Sequence, residues 1–187
     1  MSDLTDLQER LRTQRPVEWE QLPDFALYMD QVLSYMDRQF IRFDEADTLT
    51  AAMVNNYTKS GLVPRAEGKK YTREHLAYLT VICILKRVMS SRETDLTLSA
   101  QLADRGDVAN GYEAFRGSLD KAMGQISELM DQYDDATAAD AAVHFALLSY
   151  AAGVASSHYL RLLQQLRDGG EPAAESKTRA KPKKEAT

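Results

Sequence analysis

The chain has 187 residues, is 44% hydrophobic, contains one cysteine and carries a formal net charge of −5. That apolar content is enough for a core and excludes wholesale disorder, and a single cysteine excludes a disulfide framework and points to a reducing compartment. The charged start, MSDLTDLQERLR, has no apolar signal region, and no run of about 18 apolar residues suggests a membrane span. A cytoplasmic protein with no membrane partner is expected.

In chain order, residues 1–15 read as a short polar amphipathic helix or a loose arm, stopped by Pro16, whose predecessor is pushed out of the α region. Trp19 and Leu22-Pro23 form an anchoring turn. From Asp24, a plausible N-cap, Phe25, Tyr28, Met29, Val32, Leu33, Met36 and Phe40 recur at spacings of three and four, which predicts a helix. Arg42 to Asp47 form an acidic connector. The next helix starts at Thr48 or Thr50 and turns either Leu49, Met53 and Tyr57 or Ala52 with Val54 toward the core. Gly61 suits the left-handed residue after a helix, and Pro64 stops the helix resuming. Arg65 to Tyr71 then make a compact hairpin turning at Gly68. Thr72 caps an apolar helix through Leu76, Leu79, Ile82, Cys83, Leu85 and Val88.

Residues 90–111 predict one short helix and a connector. Two longer helices follow, about Tyr112 to Tyr133 and Ala138 to Arg167. The small surface of the second, from Ala151 to Ser156, would let another helix approach closely. After Gly169-Gly170 the tail has no apolar periodicity and reads as disordered.

The negative net charge alone speaks against a nucleic-acid partner, but its distribution reverses that. Residues 49–92 carry eight basic side chains against two acidic ones, while residues 1–48 and 93–170 are strongly acidic. Phosphate binding depends on local Lys and Arg, which release condensed counterions. A helix, a left-handed stop, a basic hairpin and a capped helix are the order of parts in a winged helix-turn-helix. The bland reading is a solvated basic face.

Asn56-Tyr57-Thr58-Lys59-Ser60-Gly61-Leu62-Val63-Pro64 and Tyr71-Thr72-Arg73-Glu74-His75-Leu76 resemble the recognition helix and wing of MerR-type regulators. The match is closer to an uncharacterised bacterial family, domain of unknown function 1836, described as predicted MerR-like regulators. Its pattern is similar to this chain at Leu22-Pro23-Asp24, Met53-Val54-Asn55-Asn56-Tyr57, Gly61-Leu62-Val63-Pro64 and Lys69-Lys70-Tyr71-Thr72, over about residues 19–125. Two departures stand out. Asn55-Asn56 occupy the place of an Arg-Tyr pair, and the connector between the first two helices is longer than a tight helix-turn-helix turn; no long heptad-patterned helix follows the wing in the usual position.

The resulting expectation is a mostly α protein: a MerR-like winged helix-turn-helix with a small β wing, plus a helical C-terminal extension. The divisions are 1–18 as an N-terminal arm, 19–92 as the DNA-binding domain, 93–168 as a dimerisation or effector region, and 169–187 as a basic tail. The second helix would lie in the major groove. Asn55, beside Asn56, is the candidate for direct readout, because an amide pairs in a bidentate way with adenine. An exposed capping or surface amide is the competing reading. Thr50, Lys59, Arg65, Lys69, Lys70 and Arg73 are candidates for phosphate, contacts that position without reading sequence. Tyr57 and Tyr71 read as core and wing anchors.

Catalysis has little support. His75, His144 and His158 are scattered, none is spaced with Cys83 as a metal ligand, and there is no phosphate loop or nucleophile elbow. Cys83 reads as a buried small hydrophobe, and Phe115, Phe145, Tyr150 and Tyr159 as core rather than a ligand cavity. No metal or cofactor is expected. The expected partners are double-stranded DNA, a second copy as a homodimer, and a small-molecule or protein effector. The rival is a helical protein–protein interaction module using the winged fold as an adaptor.

Overall fold

The computed structural model describes residues 3–39 and 48–169. Among them are seven α-helices: α1 (Asp3–Thr13), α2 (Met29–Gln39), α3 (Ala51–Ser60), α4 (Arg73–Leu85), α5 (Ser91–Arg105), α6 (Val108–Met130) and α7 (Ala138–Arg167). Single turns of 3-10 helix at Trp19–Gln21 and Asp135–Thr137 precede longer elements. The expected connector at 42–47, Phe40 and the tail from Gly170 lie outside the described residues.

The core is helical and central. Val32 and Met36 of α2, Val54 and Tyr57 of α3, and Leu76, Leu79 and Ile82 of α4 are buried together. Leu98 of α5 and Tyr112 and Phe115 of α6 close it. Each set follows helical spacing, so one face of each helix meets the same interior. At Gly111, an added Cβ would stand 3.1 Å from Leu102 Cδ2, so glycine lets α6 approach α5. Helix α6 also carries α1 along its far half. Arg12 bridges to Asp131 at 3.0 Å and donates to Ser127 Oγ at 3.0 Å, and Arg15 pairs with Asp120 at 2.7 Å.

The small β wing is not formed. No strand or sheet occurs among the described residues; only two isolated antiparallel bridges do, Leu27 with Tyr71 and Glu67 with Lys70. The second closes a four-residue turn, Lys70 N–H to Glu67 C=O at 2.9 Å. Its central residues, Gly68 and Lys69, both have positive φ, 55° and 66°, as a primed hairpin turn requires. Only Glu67 and Lys70 then face each other before the chain leaves to pair with Leu27, so the arms are too short for a ladder.

Three helix expectations also change. Helix α2 starts at Met29, not after Asp24, because Leu27 is taken by its bridge to Tyr71. Tyr28 N–H is instead received by Gln31 Oε1 at 2.9 Å. Helix α5 is a full 15 residues rather than one short helix. It opens on a reciprocal cap in which Ser90 N–H donates to Glu93 Oε2 at 2.7 Å and Glu93 N–H to Ser90 Oγ at 3.3 Å. Helix α6 begins at Val108, capped by Asp107, whose carboxylate receives Asn110 N–H at 2.7 Å.

Cys83 is half-buried rather than buried. Of the four aromatic residues expected in the core, Phe115 is buried and Phe145 half-buried, but Tyr150 and Tyr159 are 73% and 66% exposed. By length and composition alone, the stretch Asp135–Arg167 also reaches what a membrane-crossing helix needs, although apolar runs in the sequence suggested none.

Candidate nucleic-acid interface

Helix α3 is short and well defined at both ends. Thr50 sits in extended conformation, and its Oγ1 accepts Met53 N–H at 3.2 Å. Gly61, at φ 82°, ends the helix in the left-handed region that a side chain would strain. Buried Leu62 and Val63 then pin the exit. One face of α3, Val54 and Tyr57, is locked into the core. The opposite face carries Ala52, Asn55, Asn56 and Lys59, at i, i+3, i+4 and i+7, and all four are exposed.

Among the described residues, neither the Asn55 nor the Asn56 side chain has a hydrogen-bond partner. Each amide presents two donors and an acceptor to solvent. Lys59, in the last turn, adds a cation at the helix end where the backbone dipole is negative. A single exposed helix face thus offers paired amides followed by a positive charge.

The basic loop follows directly. Arg65, Lys69 and Lys70 are exposed, with Glu67 the one acid among them. Leu27 and Tyr71 exchange backbone hydrogen bonds at 2.8 Å in both directions, which fastens the loop to the entry of α2. Tyr71 is 6% exposed and meets His75 edge-on, with centroids 5.4 Å apart. The Thr72 N–H donates to His75 Nδ1 at 3.0 Å. That leaves Nδ1 as the acceptor and puts the ring proton on Nε2, a buried atom without a partner among the described residues. Burial pushes the phenols of Tyr57 and Tyr71 up, which suits two uncharged anchors.

The candidate contacts do not all share one surface. Thr50 is exposed but its hydroxyl caps α3. Lys70 leans over the Tyr28 ring, Nζ 5.4 Å from the centroid, so one of the two loop lysines rests on an aromatic. Arg73 departs from the set. Its guanidinium turns back to Glu20 at 3.5 Å and lies 5.7 Å from the Trp19 ring centroid. The reason is positional: Arg73 is the first residue of α4, and helical side chains lean toward the N-terminus.

Sequence reasoning missed the partners of that arginine. Trp19 N–H donates to Glu113 Oε1 at 2.7 Å, Tyr112 Oη donates to Val17 C=O at 2.8 Å, and Arg116 donates to Pro16 C=O at 3.0 Å. The segment 16–21 is therefore strapped to α6, and Arg73 is held by the strap. Burial pushes the Tyr112 phenol far up. Exposed Tyr28 was missed as well, because its apolar spacing assigned it to the buried face of a helix that starts one residue later.

No group of three or more His, Cys, Asp or Glu side chains could hold a metal among the described residues. The family described as Domain of unknown function (DUF1836) matches residues 17–115. That span runs from the strap to Phe115, the last buried member of the central core. Neither a curated protein nor a solved structure matches the chain.

Proposed function

The chain belongs to the DUF1836 family, and from that premise we propose that it is a cytoplasmic, DNA-binding transcriptional regulator. It contacts double-stranded operator DNA as a homodimer, through the exposed face of α3 and the basic loop after it. The order of parts is MerR-like, with a tight basic turn where a β wing would stand. The observation that carries this reading is the exposed stripe of Asn55, Asn56 and Lys59, continued in sequence by Arg65 and Lys69.

The chemistry suits that division of labour. An amide on a helix laid in the major groove can donate to and accept from one adenine edge. Lysines on a loop beside it neutralise phosphates and set register without reading bases. Thr50 and Arg73 serve the fold first, so the charged contacts narrow to Lys59, Arg65, Lys69 and Lys70. The rival, a helical adaptor that binds a protein, draws on exposed Phe25 and Tyr28.

Selection of bound fragments from a random duplex pool at a defined salt concentration separates the two. The regulator reading expects an enriched site with two-fold symmetry. Replacing Lys69→Glu together with Lys70→Glu is expected to abolish binding with no change in circular dichroism. Absence of any duplex binding by the wild-type chain at low salt would overturn it.

A further inference from the structure

Helix α7 buries almost none of itself. Of its 30 residues only Leu160 is buried, and the whole segment 141–160 contains no Asp, Glu, Lys or Arg. Val143, Leu147, Tyr150 and Val154 form one stripe, 61%, 61%, 73% and 54% exposed. An amphipathic helix on a soluble protein keeps its apolar stripe inward and its charges outward. Here the stripe faces out and the charges are missing, which marks an interaction surface.

We propose that this stripe is the interface between two copies of the chain, paired antiparallel along α7. Three observations choose the occupant. The spacing of the stripe is four, three, four, the seam of a coiled coil. It reads the same in both directions, so an antiparallel pair sets Val143 of one copy against Val154 of the other, and Leu147 against Tyr150. A two-fold axis through the middle of the seam makes the contact self-complementary.

The second observation is size. In that register residues 138–159 of the two helices overlap over about 33 Å, and half the circumference of a cylinder ~12 Å across at that length is on the order of 600 Å². A standard stable interface starts at about that much per partner.

The third is what lies beside α7. An open cleft of about 790 Å³ is walled by Gln125, Glu128 and Gln132 of α6 as well as by Phe145, Leu148 and Ala152 of α7. Asp134 and Asp135 line another cleft with Ala138 and Ala141. Were α7 to enter a bilayer with α6 alongside, Glu128 would be carried into hydrocarbon, where a carboxylate is costly, while Asp134 and Asp135 would stay at its edge. Around a protein partner these carboxylates form a polar rim on an apolar floor, the usual anatomy of such a contact.

The inference deepens the dimer half of the DNA-binding reading, but its readout is separate. Light scattering on the purified full-length chain is expected to give twice the 21.0 kDa mass of one chain. Replacing Leu147→Glu with Val154→Glu is expected to give a monomer of unchanged circular dichroism, since both positions are exposed in the single chain. Orientation is tested in a Cys83→Ala background. A mixture of Val143→Cys chains and Val154→Cys chains is expected to cross-link under oxidation, and neither alone. Like residues would stand about 16 Å apart along the axis, beyond the ~7 Å reach of a disulfide.

A wild-type monomer at tens of micromolar overturns the proposal, as does a dimer indifferent to the paired glutamates. Cross-linking of either cysteine variant alone overturns the antiparallel register. Co-sedimentation of monomeric wild-type chain with phosphatidylethanolamine–phosphatidylglycerol vesicles overturns it in favour of a lipid surface. A dimer that ignores DNA leaves this interface standing and removes the DNA reading; a DNA-binding monomer does the reverse.

Discussion

Leu27 and Tyr71 are joined by two backbone hydrogen bonds of 2.8 Å, one in each direction, and that single bridge stands where a sheet was expected. It holds the end of the basic loop against the start of α2, and both side chains are buried in the central core. The loop's position therefore depends on packing at its root. Replacing Tyr71→Ala deletes a buried ring and is predicted to cost about 3 kcal/mol, read as a shift in the urea midpoint. Tyr71→Phe, which keeps the ring edge-on to His75, is expected to cost far less.

Lys69 pays for its place in the turn with a positive φ. A side chain in the left-handed region costs about 1–2 kcal/mol, part of which glycine returns through its looser unfolded state. Lys69→Gly is thus predicted to stabilise the fold by about 0.5–1 kcal/mol while weakening DNA binding. Lys69→Ala removes the same charge without relieving the strain. Comparing the two by thermal melts and by fluorescence anisotropy on duplex DNA separates charge from conformation. Equal melting temperatures would contradict the strain argument.

Salt dependence distinguishes the cations that face outward from the one that folds back. If Lys59 and Arg65 each meet a phosphate, changing either to Ala should flatten the plot of log K against log salt by about 0.9. Arg73→Ala should leave that slope alone. It gives up the contact with Trp19 and the pairing with Glu20, and the loss appears as about 1 kcal/mol of stability. An Arg73 variant with a reduced slope would put this residue back on the DNA surface.

The Ser90–Glu93 cap gives α5 a pH dependence with a definite sign. The Ser90 hydroxyl and then the Ser90 backbone, both hydrogen-bonded to the Glu93 carboxylate, hold its pKa below the ordinary value. A depressed folded-state pKa means the contribution is present above the unfolded value and lost as pH falls through the folded one. Wild-type stability should therefore drop on acidification by more than that of Glu93→Gln, in urea melts at about pH 7 and about pH 3. Ser90→Ala, which loses the cap at every pH, is predicted to cost about 1 kcal/mol.

Much of the candidate site was legible because its signals are local. A threonine cap at Thr48 or Thr50, the Thr72 cap and Gly61 as the left-handed stop all follow from interactions within a few residues, whereas the anchoring of Tyr57 and Tyr71 follows from apolar spacing and is completed by distant partners. The exposed stripe of α3 follows from helical geometry once Val54 and Tyr57 are assigned inward. The start of α5 was also written locally, in Ser90 and Glu93 three apart, but the polar run around them hid it.

Amino-acid sequence alone thus determined a mostly helical chain, the bounds of α7 from Ala138 to Arg167, and a basic loop between two capped helices. Tertiary structure decided the rest, because it rests on partners distant in the chain. Whether residues 65–71 form a ladder depends on what Tyr71 meets, and it meets Leu27. Where Arg73 points depends on Trp19 and Glu20, which α6 holds in place through Glu113 and Tyr112. Periodicity gave α7 an apolar face, and only packing revealed that none of the described residues covers most of it.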